Sequence, residues 1–300
     1  MDESDRTASL MSPAKLAQMK PKAATPAAWL TQMAADAGHM HVKRIGELGE
    51  VLREQAALPG LAAIASRLER LAAALPELDF SLLEPRGWWA RTSGKRRGSG
   101  TEFAAQVEEI DAATRPVTTA VSALRTEQQA DAALVELEGE YRAVGKIIDQ
   151  GARWLQDMRN QIKVRQAAAP DPQEHRAVLE DAARCDILVD RLKLLRALCN
   201  AAAQVPGQAG ANAQRRVALV QTLQQSVAPE VDEWRGRMST LASAATAGNR
   251  PGQGMQAPMD AHQELQVSVK RTISACEQLL EQEQSLLRSL AALGGQQPPA

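Results

Sequence analysis

Aromatic residues are almost missing from this chain: its 300 residues include one Tyr, two Phe and five Trp. Strands draw on aromatic and β-branched side chains, whereas the Ala, Leu, Glu, Gln and Arg that abound here are good helix formers. A sheet core is thereby excluded, and an almost wholly helical chain is expected. Because Ala adds little apolar area, its core is expected to be thin and long. The fold class that follows is all-α: an elongated bundle of long antiparallel coiled-coil-like helices with a short N-terminal helical hairpin.

Cysteine is also scarce. Cys185, Cys199 and Cys276 are odd in number and form no CxxC pair, which speaks against a disulfide framework and a zinc site and for a reducing cytoplasm. Long apolar runs are absent, since no stretch reaches the ~18 uncharged apolar residues of a membrane span. The opening "MDESDRTASLMS" carries acids where a signal peptide needs positive charge, so a cytoplasmic chain made without export is expected. A formal net charge of −1 excludes a globally basic nucleic-acid binder. Any charge-driven function must be local.

Catalytic and nucleotide-binding motifs are missing as well. Gly87 and Gly94 stand too far apart for a P-loop, Arg96 follows Lys95 where Ser or Thr is needed, and no strand precedes them. "GQG" at 252–254 does not continue as GxGxxG. His39 and His41 could chelate a metal, but no further ligands lie nearby, so they read as a pair at a loop or helix start. His175 and His262 stand alone. Cys185 and Cys199 are fourteen residues apart on one helical face and read as packing residues, with a redox or soft-metal role as the minor alternative. The acids of "ELEGE", 136–140, read as a solvated face. No nucleophile–base set can be assembled. The chain is read as a non-enzyme without cofactor or metal.

What is present is helical periodicity. Residues 1–26, with Pro13, Pro21 and Pro26, read as a disordered arm. In 27–84, Ile45, Leu48, Val51 and Leu52 give one face. "LPG" at 58–60 breaks it, and Leu61, Ile64, Leu68, Leu71 and Leu75 give a second, which predicts a hairpin. A basic connector, "PRGWWARTSGKRRGSG", fills 85–100, and Thr101 is the expected N-cap of the next helix. The long-helix body is expected over 101–246, with Pro116 ending or kinking its first helix near Thr114. From Val117 to about Arg165, steps of three and four predict one coiled-coil helix of ~50 residues, or ~75 Å. Turns are expected at "AAAPDPQ", 167–173, and at "VPGQAGANA", 205–213, with a kink at Pro229. A flexible linker over 247–260, an amphipathic helix over 261–294 and a disordered tail over 295–300 complete the reading.

The order of these parts carries a resemblance. "IASRLERLAAALPELDFSLLE" contains an LxxLxxxLxxLD helix; the tryptophan-bearing basic segment follows, then "TEFAAQVEEIDAATRPVTTAVSALRTEQQADAALVELEGEYRAVGKIIDQGARWL". Over roughly residues 45–245 the chain resembles a divergent member of the TelA-like family of toxic-anion (tellurite) resistance proteins. The resemblance implies a cytoplasmic helical stress-response protein that binds or scaffolds rather than catalyses. That family has no agreed ligand residues, so none are carried over. From the residues alone, the alternative is a coiled-coil adaptor whose apolar seams are completed by an unknown protein partner or by homo-oligomerisation. A second alternative is contact with an anion, a partner or a membrane surface through Arg86, Trp88, Trp89, Arg91, Lys95, Arg96 and Arg97. Nucleic acid is the disfavoured ligand there, because five cations are few and the remaining surface is near neutral.

Overall fold

The computed structural model describes residues 30–56, 59–84, 95–124, 131–168, 171–248 and 252–295. Every element among them is helical: α1 Leu30–Asp36, α2 His39–Ala56, α3 Pro59–Ala74, α4 Lys95–Ala123, α5 Asp131–Ala168, α6 Pro172–Thr222, α7 Ala228–Thr246 and α8 Gln256–Gly295. The protein is an all-α helical bundle. Among the described residues, no helix is long and apolar enough to cross a membrane.

The chain divides into two units, each built from segments far apart in sequence: Met1–Ala56 with Gln129–Gly210 and Ser285–Ala300, and Ala57–Gln128 with Ala211–Gln284. The helices α6 and α8 contribute to both. In the first unit α5 and α6 run antiparallel, because rising numbers on one meet falling numbers on the other. Tyr141 pairs with Cys199, Gly151 abuts Leu192, and Arg165 bonds Asp181. The same logic sets α2 antiparallel to α5, through His41 with Glu140 and Arg44 with Glu136. Gly38, at φ 67°, makes the left-handed corner between α1 and α2, with Leu195 of α6 against it. Val144, Ile148, Leu188 and Leu195 lie in the core.

In the second unit α4 runs antiparallel to α7. Gly100 faces Ala245, Asp111 pairs with Arg235, and Gln224, in the turn before α7, bonds the Val121 and Leu124 carbonyls. α8 returns along α6 and α7, pairing Glu283 with Arg216 and His262 with Trp234. Leu68, Leu71, Phe103, Ile110, Trp234 and Met238 are buried together.

Several boundaries differ from the sequence expectation, each for a packing reason. The two helices of the expected 27–84 hairpin belong to different units, and α2 and α3 bury their faces against separate sets of helices. α4 starts at Lys95, so Thr101 is internal and its hydroxyl donates to the Gly98 carbonyl instead of capping. Pro116 lies inside α4 without ending it, since Val117, Ala120 and Val121 continue the buried face beyond it. The single coiled-coil helix expected over 117–165 is two: α4 ends at Ala123, and α5 begins at Asp131 in the other unit.

α6 passes through Pro206, where a turn is expected; Val205, Ala209 and Asn212 are buried on either side of it. Before Pro229 the helix widens to a π turn, Leu223–Val227, and the Ala228 N–H reaches the Leu223 carbonyl. A wider turn relieves the ring's clash with the preceding turn. The helical register therefore survives Pro229, as expected. α8 begins at Gln256, inside the expected linker, and Pro258 occupies a first-turn position where an N–H has no partner to lose.

Candidate functional site

The basic segment singled out from sequence is reached only in part. Arg86, Trp88, Trp89 and Arg91 lie outside the described residues. Lys95, Arg96 and Arg97 form the first turn of α4, and their side chains lie outside the description. The 1–26 arm lies outside it as well.

The structure brings together a different set of cations. Between α5 and α6, in the first unit, a groove of about 640 Å³ has a floor of Ile148, Leu155, Val189 and Leu192 and a rim of Arg159, Lys163, Lys193 and Arg196. Ala152, Gln156 and Asn160 complete it, and no carboxylate is among these lining residues. Lys193 does bond Asp190 at 2.8 Å just outside, but both side chains are 71% exposed, so the pair is weak and free to exchange. An apolar floor under a cationic rim suits an amphiphilic anion better than a bare one.

Polar groups inside the units are structural by their contacts. Trp234 Nε1 donates to His262 Nδ1 at 3.0 Å in the second unit's core. Indole N–H can only donate, so Nδ1 is the acceptor, and on the other side of the ring the Gln266 side-chain amide nitrogen lies 2.9 Å from Nε2. Burial pulls the His262 pKa below its ordinary value, with the Leu75 carbonyl acting weakly the other way. Phe80 packs edge-on to the same ring. Burial alone would push the Asp111 carboxyl up, yet hydrogen bonds from Arg235 and Arg115 outweigh it and hold it below the usual range. In the first unit Asp181 is buried and held by Arg165 at 2.6 Å and Arg184 at 3.2 Å. Arg191 gives Nε and Nη2 to the Ala37 carbonyl, which places a cation at the C-terminal end of α1, where the helix dipole favours it.

The thiols are poor nucleophiles by environment. Burial pushes up the pKa of Cys185 and Cys199, and burial followed by the nearby Glu277 carboxylate pushes Cys276 to about 11. Cys199 is half-buried and spends its S–H on the Tyr141 carbonyl. His39 opens α2, and His41 is taken by Glu140 at 2.6 Å. Among the described residues no group of three or more His, Cys, Asp or Glu is placed to hold a metal ion.

The groove was not found from sequence because its cations come from two helices, and each reads alone as part of a solvated face. The signal was there in the antiparallel register, which folds 148–163 back onto 189–196. Compared with family models, curated proteins and solved structures, the chain finds no match. The TelA-like resemblance rests on the quoted residues alone.

Proposed function

We propose that this protein is a cytoplasmic helical scaffold that works by holding partner chains rather than by catalysis, in the setting of toxic-anion (tellurite) stress that its TelA-like resemblance supplies. One observation carries the scaffold reading. α6 bears a second apolar stripe turned away from the core: Leu179, Ile187 and Leu194 are 53%, 48% and 60% exposed while Leu188 and Leu195 are buried. Steps of eight and seven residues keep the three within about 80° on the helix. A helix apolar on two faces is the signature of one that is covered on both. The raised thiol pKa values favour protection by assembly over direct capture of an oxyanion by sulfur.

Light scattering on the full chain purified from its own host tests the reading, with Ile187→Glu as the comparison. A complex that shrinks to the monomer on substitution supports it, and a compact monomer with no companion in both proteins defeats it. For the setting, deleting the gene should raise tellurite sensitivity, and unchanged sensitivity removes that part.

A further inference from the structure

We propose that the groove between α5 and α6 receives an amphipathic helix with acidic flanks from a partner protein; this rests on the binding role above and names the partner's chemistry. Three observations lead there. The first is shape. The groove follows two antiparallel helices, and its α5 side runs from Ile148 to Lys163, about 22 Å, the length of some four helical turns. Such a trough fits an elongated rod and is long for a small anion.

The second is an internal precedent. The same α5–α6 hairpin already holds one helix, α2, whose Val42, Ile45 and Leu48 are buried while His41 and Arg44 pair with Glu140 and Glu136, each at 2.6 Å. That seat joins apolar knobs to charge pairs along the flank. At about 100° per residue, Glu136, Glu140 and Ile147 fall on the side of α5 opposite Ala152, Gln156 and Arg159. The open groove therefore repeats the seat on the other flank of the hairpin.

The third is charge. The seat of α2 offers the carboxylates Glu136 and Glu140 to His41 and Arg44 in the first turns of that helix, whereas the open groove offers Arg159, Lys163, Lys193 and Arg196 above Leu155 and Leu192. The complementary helix carries Leu, Ile or Met at steps of three and four, with Glu or Asp beside them. Lys43 and Arg44 in the first turns of α2 would meet like charge on the rim of the groove, which works against an exchange of places between the two helices.

The probe is a fluorescein-labelled helical peptide of about 20 residues, with Leu on one stripe and Glu beside it, titrated with the full-length protein. Its controls are the same peptide with Lys for Glu, polyglutamate of equal charge, and anionic phosphatidylglycerol vesicles. The acidic peptide should bind, weaken with salt, and weaken at least tenfold in Arg159→Glu/Arg196→Glu. Ala152→Trp, which fills the groove without altering charge, should weaken it as much. All three positions are exposed, and circular dichroism verifies that the helices persist.

Equal affinity for the Glu and Lys peptides overturns the proposal, as does binding that both variants leave unchanged. Polyglutamate bound as tightly as the peptide reduces the groove to a simple anion patch, and vesicles bound in preference, with Ala152→Trp abolishing it, assign it to lipid. Either result overturns the helix assignment. If the peptide fails while Ile187→Glu still changes the assembly state, the groove assignment falls and the scaffold stands.

Discussion

Replacing Gly100 by Ala should destabilise the second unit, although Ala is the better helix residue. A Cβ built at Gly100 would lie 2.5 Å from the Ala245 carbonyl oxygen and 2.9 Å from its carbon. These are backbone atoms, so the clash cannot be relieved by turning a side chain, and α4 must back away from α7. Overpacking of this kind costs about 1–3 kcal/mol, against about 1 kcal/mol gained from helix propensity. The net expectation is a loss of about 1 kcal/mol, with an upper end near 2. Gly139 and Gly145 in α5 supply the opposite sign, since a Cβ there meets nothing within 4 Å and each Ala should gain about 0.5–1 kcal/mol. Gly151 lies between: its Cβ would meet only the side-chain carbons of Leu192, at 2.8 and 2.9 Å, which can turn aside. Urea midpoints for the four single variants should order as Gly139→Ala and Gly145→Ala above wild type, Gly151→Ala near or below it, and Gly100→Ala lowest. Gly100→Ala at or above wild type, with the α5 variants rising as expected, would refute the close approach of α4 and α7.

Two further outcomes follow from the buried groups. Because burial lowers the folded pKa of His262 from its ordinary 6.5, the unfolded chain takes up the proton first as pH falls. The stability present above pH 6.5 should therefore decline below it, and the urea midpoint should drop more between pH 7.5 and 5 in wild type than in His262→Gln. An equal drop in both would sever the link. The thiols should be slow toward an aromatic disulfide reagent at pH 7.5: Cys185 and Cys276 should react only after urea is added, with half-buried Cys199 ahead of them. Rapid labelling of Cys276 in the native protein would contradict its burial.

The faces of the helices were legible in the sequence, and their partners were not. Leu61, Ile64, Leu68, Leu71 and Leu75, spaced at three and four, are all buried, as are Val231, Trp234, Met238 and Leu241. Such spacing reports which side is apolar and is silent about what covers it. "LPG" correctly marks the end of α2, yet the helices on either side go to different units, a fact decided by contacts far along the chain. Pro206 misleads because a local cost of about 3 kcal/mol competes with the burial of Val205 and Ala209 on both sides, and nothing within a few residues reveals that gain. His262 stands alone in sequence, while its partners Trp234 and Phe80 arrive from other elements.

α6 shows why the candidate site stayed hidden while the fold did not. A helix with one apolar face reads clearly, because its pattern has one phase. α6 adds the exposed stripe of Leu179, Ile187 and Leu194 to its core face, whose margin at Val189 and Leu192 also floors the groove. Two apolar phases superimposed on one helix blur the 3.6-residue period that would have separated them. The charges between them then look scattered: Lys193 and Arg196 border the groove, while Asp190 lies beside the exposed stripe. Only the register with α5, fixed by Asp181 against Arg165 at one end and Cys199 against Tyr141 at the other, sorts them into a rim. The candidate site in this chain is therefore written in the pairing of helices, and the residues that line it gain their meaning from neighbours some 25–50 residues away.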